Sequence, residues 1–285
     1  MEVKKIAVIG AGIMGRGVAQ AAASGGFAVA LMSRQVSTLE KAMGIITKEL
    51  QKSVDKGKIT ADEAQATLAR ITTTTSLAEA AATADLVIEN VPEVLETKWE
   101  VFRQLDAICP AHTILATDTS AKSISEIASV TKRPDRVIGM HFFNPAHVMK
   151  LVEINLGMET SEETCRIAEE VAKKMGKETI RVNESPGFVV TRLNAVLTNE
   201  AFKMVMEGVA TPADIDKACR LGLNYPMGPF ELIDLVGLDT RLRIMEELQR
   251  VLGEAYRPSP LMVKYVKAGR LGKKTGKGIY DYTKE

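Results

Sequence analysis

Lys4-Lys5-Ile6-Ala7-Val8-Ile9-Gly10-Ala11-Gly12-Ile13-Met14-Gly15 joins a short apolar run to a glycine-rich turn, and Arg16 to Ala23 beyond it are mostly small and helix-compatible. Strand, turn and helix in that order form the context in which G-x-G-x-x-G holds a dinucleotide. Gly10 permits the tight turn. Gly12 lets the backbone approach a pyrophosphate, and Gly15 lets the helix pack close to the strand. The start of the helix offers unpaired N–H groups and the positive end of its dipole to phosphates. Gly10, Gly12, Ile13, Met14 and Gly15 are therefore the expected cofactor contacts of the turn.

The alternation of strands and helices continues outward from this unit. Ala28–Met32 reads as a second strand, closed by Ser33-Arg34. The residue ending that strand faces the adenine ribose in such folds, where an acidic side chain would bind both ribose hydroxyls and repel a 2′-phosphate. A serine hydroxyl and a guanidinium are instead suited to a phosphate, so Ser33 and Arg34 argue for NADP over NAD. Arg16 would add positive potential. Ser37–Lys56 reads as a helix, and Lys52 and Lys56 lie one turn apart on one face, which leaves a phosphate contact and a plain solvated face equally open. Thr60 caps a further helix. Strands at Ile71–Thr75, Leu86–Glu89, Thr113–Thr117 and Val137–His141 predict a parallel, doubly wound α/β sheet. Glu93, Ser120 and His141 fall at carboxyl ends of strands, where such sheets bind ligands.

Lys150–Asn155 and Thr179–Val182 read as two more strands flanking the helix Ser161–Lys174. After Gly187 the pattern turns to helices alone: Phe188–Glu207, Pro212–Leu221, Pro229–Leu252 and Pro260–Ala268. The tail Leu271–Tyr282 reads as an ordered loop. The expected organisation is an α/β domain over residues 1–185 and an all-α domain over 186–285.

The chain has 285 residues, enough for one large or two medium domains, and 46% of them are apolar. A net charge of +1 offers no electrostatic reason to bind nucleic acid. Cys109, Cys165 and Cys219 form no C-x-x-C pair and read as reduced thiols of a cytoplasmic protein. The N-terminus reads as a strand and not as a signal peptide, no apolar run is long enough for a membrane span, and no metal is expected. There is no internal repeat.

Oxidising an alcohol with a nicotinamide needs a base that takes the hydroxyl proton as hydride leaves carbon. Histidine suits that task near neutral pH, and the chain has three. His112 precedes a strand, at the wrong end of the sheet, and His147 lies in a loop without an evident orienting partner. His141 closes a strand at the ligand-binding end. Glu153, on the following strand, can meet its ring, fix the tautomer and stabilise the imidazolium. Spacing alone leaves a buried structural histidine and a structural glutamate equally open.

Five blocks carry a resemblance: Val8–Gly17, Val137–Glu153 (V-I-G-M-H-F-F-N-P-A-H-V-M-K-L-V-E), Ser185–Val190 (S-P-G-F-V-V), Met227–Asp239 (M-G-P-F-E-L-I-D-L-V-G-L-D) and Gly272–Tyr282. The chain resembles the L-3-hydroxyacyl-CoA dehydrogenase family over nearly its whole length, above all the single-function bacterial 3-hydroxybutyryl-CoA dehydrogenases. The resemblance implies a Rossmann-like domain, a helical domain that forms a homodimer, and hydride transfer at C3 of a short 3-hydroxyacyl-CoA. It implies His141 as general base and Glu153 as its partner, with Ser120 bonded to the substrate oxygen. Glu93, Lys98 and Asn144 match positions beside the cofactor, and Lys52 and Lys56 would lie near the CoA.

Four positions depart from the family pattern. Ser33 replaces the usual acidic residue, which again favours NADP. Asp118 stands for the asparagine of Ser-Asn-Thr-Ser, where a bare carboxylate would oppose developing negative charge on the substrate. Thr191 stands for the asparagine after P-G-F-V-V and offers one hydroxyl with shorter reach. Tyr225 replaces a frequent histidine. A dehydrogenase of a non-CoA hydroxy acid and a non-catalytic nucleotide-binding protein are the other readings.

Overall fold

A computed structural model describes residues 1–283. The chain divides into two compact units, Met1–Ser185 and Pro186–Glu285.

The first unit runs β1 (Lys5–Ile9), α1 (Ile13–Ser24), β2 (Ala28–Met32), α2 (Val36–Asp55), α3 (Ala61–Ala69), β3 (Ile71–Thr74), α4 (Leu77–Ala81), β4 (Leu86–Glu89), α5 (Leu95–Ile108), β5 (Ile114–Thr117), α6 (Ile124–Ala128), β6 (Val137–Phe142), β7 (Leu151–Leu156), α7 (Glu162–Lys174) and β8 (Glu178–Asn183). The sheet order is β3-β2-β1-β4-β5-β6-β7-β8. Its first six strands are all parallel, in the order of a doubly wound dinucleotide fold. Ile6 to Ile9 and all of β4 and β5 are buried, which is why these strands read as unbroken apolar runs. Val18, Ala19, Ala22 and Ala23 pack α1 into the same core.

The sheet is mostly parallel, as expected, and departs from that only at one edge. β7 runs antiparallel to β6, and β8 is parallel to β7. A parallel return needs about a dozen residues or more for its crossover. The link from Phe142 to Leu151 is too short, so the chain turns straight back. The short helices α4 and α6 went unread, although each carries a Ser-x-x-Glu start. Ser76 accepts from the Glu79 N–H, and Ser123 from the Glu126 N–H.

The second unit is helical: α8 (Val190–Met206), α9 (Pro212–Gly222), α10 (Pro229–Val236), α11 (Leu238–Leu252) and α12 (Pro260–Lys267). Phe202, Phe230, Ile233, Leu238 and Met245 centre its core. Pro229–Leu252, expected as one helix, is two. Gly237 adopts φ +107° and ends α10, its N–H donating to the Ile233 carbonyl. The tail holds a 3₁₀ turn, Lys273–Thr275, and is pinned by buried Asp234, which accepts from the backbone of Ile279 and Tyr280 and from the Tyr282 hydroxyl. Among the described residues no helix is long and apolar enough to cross a membrane.

Candidate active site

The carboxyl ends of β1, β4, β5 and β6 bring together the glycine turn, Asn90 to Glu93, Asp118 to Ser120 and His141 to Asn144. At the turn, Gly10 has φ +108° and a Cβ there would stand 2.6 Å from the Asn90 carbonyl oxygen; at Gly15 a Cβ would stand 1.7 Å from the Gly10 carbonyl oxygen. Both glycines are required by the protein itself. Gly12 is different, because a Cβ there would meet nothing within 4 Å. No side chain caps the start of α1. Open space above Gly12 and an uncapped helix start suit a pyrophosphate.

At the end of β2, the Ser33 N–H donates to the Thr74 carbonyl at 3.3 Å. Arg34 is exposed, and no carboxylate lies within ion-pair distance of it among the described residues. The edge that would face an adenine ribose thus carries a hydroxyl and an uncommitted cation.

His141 pairs with Glu153 across the β6–β7 ladder, and its Nδ1 lies 2.7 Å from Glu153 Oε2. Both residues are buried, Glu153 completely. A buried carboxylate at Nδ1 favours the tautomer that carries its proton there and fixes the orientation of the ring. The Phe143 ring tilts against the imidazole, with ring centroids 4.5 Å apart. His112 is bound elsewhere: it meets Asp85 at 3.2 Å, beside the amino end of β4.

A buried ion cluster occupies the ends of β4 and β5. Lys98 Nζ donates to both Glu89 oxygens at 2.9 and 3.0 Å and lies 3.2 Å from Glu93 Oε2. The Thr117 hydroxyl and the Val91 N–H also donate to Glu89, at 2.7 and 2.6 Å. Burial alone would lower the Lys98 pKa, but Glu89 and Glu93 outweigh it and hold the ammonium above the ordinary lysine value. Glu93 is partly buried, which opposes its charge. Lys98, the Thr119 hydroxyl and the Ser120 N–H prevail and hold its carboxyl below the usual range. Glu93, Lys98 and Ser120 therefore form one connected group. The sequence reading missed Glu89, Thr117 and Thr119. The available signal was a carboxylate ending an otherwise apolar strand shortly before a lysine.

Asp118 does not present a bare carboxylate. Its Oδ1 accepts from the Phe142 N–H at 2.7 Å, and its Oδ2 from Asn90 Nδ2 at 2.6 Å. Burial drives its pKa well above the usual carboxylate value, against the Phe142 N–H and Lys98, with Glu89 and Glu93 pushing it further up. Both oxygens are thus bonded, and burial disfavours the charged form.

Asn144, in the β6–β7 link, lines a cavity of about 250 Å³ with Arg16 and His147. Lys52, Lys56, Lys58, Ser53 and His147 line a neighbouring cavity of about 410 Å³. Lys52 is bound to Glu49 at 2.7 Å. Burial lowers the His147 pKa, against the pull of Glu49. Thr191 belongs to the other unit, in the first turn of α8, where its carbonyl accepts from Arg241 Nη1 at 3.3 Å. Tyr225 is exposed between α9 and α10. Among the described residues no group of three His, Cys, Asp or Glu side chains is placed to hold a metal ion.

Sheet order, glycine turn and strand-end residues define a dinucleotide-binding protein of the Rossmann class with a helical second unit. Residues 5–185 match the family model described as the 3-hydroxyacyl-CoA dehydrogenase NAD binding domain, and residues 187–282 match its C-terminal domain. The chain belongs to the 3-hydroxyacyl-CoA dehydrogenase family. It is 51% identical to the probable 3-hydroxybutyryl-CoA dehydrogenase of Bacillus subtilis, over 99% of this chain and 98% of that one. It is 46% identical to the 3-hydroxybutyryl-CoA dehydrogenase of Clostridioides difficile, over 98% of this chain and all of that one. The crystal structure of (S)-3-hydroxybutyryl-CoA dehydrogenase from Ralstonia eutropha superposes with a TM-score of 0.95 at 41% identity, covering 99% of this chain and 100% of that one.

Proposed function

We propose that the protein is an oxidoreductase that moves hydride between NADP(H) and C3 of a short-chain 3-hydroxyacyl-CoA, giving the 3-oxoacyl-CoA. The observation that carries this reading is the His141–Glu153 pair, 2.7 Å apart at the ligand end of a doubly wound sheet. When bound, the nicotinamide supplies the hydride acceptor or donor. The backbone of Gly10, Gly12, Ile13, Met14 and Gly15 would hold the pyrophosphate, with Glu93, Lys98, Ser120 and Asn144 toward the nicotinamide. In oxidation, His141 Nε2 accepts the C3 hydroxyl proton as the C–H electron pair leaves as hydride, and Glu153 stabilises the imidazolium. In reduction the imidazolium returns that proton to the carbonyl oxygen. Ser120 bonds the same substrate oxygen, and Thr191 is assigned a second substrate bond by its place after P-G-F-V-V. Lys52 and Lys56 are assigned to the CoA phosphates.

Ser33 and the uncommitted Arg34 support NADP, since the end of β2 carries a hydroxyl and a guanidinium in place of an acidic side chain. Leu193 and Val196 on α8, with Leu221, Leu223 and Tyr225, expose large apolar side chains on the helical unit. That exposure supports a homodimer formed through this unit.

The experiment follows the absorbance of reduced nicotinamide with acetoacetyl-CoA and either cofactor. Turnover with NADPH well above NADH supports the reading. Turnover with NADH alone overturns the cofactor, and silence on CoA thioesters with turnover of a free hydroxy acid overturns the substrate class.

A further inference from the structure

The proposed chemistry gives no role to the bonded pair Asn90 and Asp118 at the strand ends. The parallel ladder between β5 and β6 ends at Thr117–Gly139, whereas β6 continues to Phe142 with only β7 paired beside it. On the side that β5 no longer covers, the Asp118 carboxyl takes the place of a strand: Oδ1 accepts from the Phe142 N–H at 2.7 Å. That N–H belongs to the peptide joining His141 to Phe142. Glu153 holds the His141 ring from β7, and Asp118 holds the His141 backbone from the opposite side.

Asn90 secures the grip. Its Nδ2 donates to Asp118 Oδ2 at 2.6 Å, while its Oδ1 is buried with no hydrogen-bond partner. The Asn90 main chain is packed under the glycine turn, where a Cβ on Gly10 would stand 2.6 Å from its carbonyl oxygen. One line of contacts therefore runs from the cofactor turn through Asn90 and Asp118 to the peptide of His141.

We propose that Asp118 is a positioning residue for His141: with Asn90 bracing it, its carboxyl grips the His141–Phe142 peptide and sets where the imidazole stands. This rests on the reading of His141 as the proton-transfer group. Burial disfavours ionised Asp118, with Glu89 and Glu93 adding to that effect and Lys98 opposing it. What the geometry asks of the side chain is an acceptor oxygen at a set place. An amide oxygen at the same place does the same work.

The test compares full-length wild type with Asp118→Ala, Asp118→Asn and Asn90→Ala, measuring kcat, KM for cofactor and acyl-CoA, and hydrogen exchange at the Phe142 amide. Misplacing a reacting group by about 1 Å costs on the order of 100-fold, so Asp118→Ala is expected to lower kcat by about that factor with cofactor KM near wild type. Phe142 exchange should speed up in parallel. Asp118→Asn should recover most of both losses, and Asn90→Ala should fall between. Wild-type kcat in Asp118→Ala, a loss confined to KM, or a loss that Asp118→Asn does not recover overturns the proposal. Exchange needs no substrate: unchanged protection of Phe142 in Asp118→Ala overturns it even where acyl-CoA is not turned over. A wild type silent on acyl-CoA overturns only the assigned function.

Discussion

Glu153 stands directly opposite His141 in the antiparallel β6–β7 ladder, and its Oε2 meets His141 Nδ1 at 2.7 Å. The ladder itself sets this pairing, because opposite residues share one face of a sheet. His141→Gln is expected to lower kcat by about 10²- to 10⁴-fold, the usual contribution of a general acid or base. Cofactor affinity should stay near wild type. Glu153→Gln should lower kcat less, since the ring keeps its place but loses the carboxylate that stabilises its cation. Steady-state turnover and cofactor titration by fluorescence check both, and unchanged turnover in His141→Gln removes the residue from the chemistry.

The end of β2 predicts a switchable cofactor preference. A hydrogen bond to a charged group contributes about 1.5–3 kcal/mol, so Arg34→Ala should weaken NADPH by about 10- to 100-fold and leave NADH nearly untouched. Ser33→Asp should weaken NADPH further by repulsion and improve NADH through the ribose hydroxyls. The ratio of kcat/KM for the two cofactors is the readout, and a ratio unmoved by either change refutes the NADP assignment.

Two glycines of one turn should fail differently. Gly15→Ala drives a Cβ to 1.7 Å from the Gly10 carbonyl oxygen, so the backbone must move. A loss of about 1–3 kcal/mol in urea unfolding is expected, as for overpacked sites. Gly12→Ala meets nothing within 4 Å, so stability should hold while cofactor affinity falls. If Gly12→Ala binds both cofactors as wild type does, the pyrophosphate does not lie over this turn.

Asp118 predicts a pH-dependent stability with a definite sign. Its folded pKa is raised above the ordinary 3.8, so the folded state holds the proton more tightly than the unfolded state. The carboxyl therefore costs no stability below pH 3.8, costs progressively more as pH rises toward the folded pKa, and costs a constant amount above it. Asp118→Asn keeps the shape without the ionisation. Its stability advantage over wild type should be absent at the acid end and open as pH rises. Urea unfolding of the two proteins across that range checks it, and an advantage that grows toward acid contradicts the burial argument.

Local pattern carried much of the architecture. Val8-Ile9-Gly10-Ala11-Gly12 already combines an apolar strand with a turn that only glycine fits. Thr60, followed three residues later by Glu63, marks a helix start that the structure builds as a reciprocal capping box. His141 and Glu153 were legible because both lie on short strands whose order in the chain is their order in the sheet. Local pattern failed where the outcome depends on a neighbour far along the chain. Gly237 divides a continuous helical pattern, because the Leu238 N–H turns to the Leu271 carbonyl.

What the sequence by itself determined is the class of protein: the glycine turn, the strand-end residues and the change from alternation to helices are all read within short windows. What only the tertiary structure decided is the electrostatic state of the site. Asp118 reads as an exposed anion until β6 supplies the Phe142 N–H and the residue just past β4 supplies the Asn90 amide. Lys98 reads as a helix lysine until Glu89, on the preceding strand, is brought within 3 Å of it. Charges and hydrogen bonds act over a few ångströms in space, whatever the distance along the chain, and burial multiplies their effect. Residue types can be read from the sequence, but their ionisation depends on which strand ends meet.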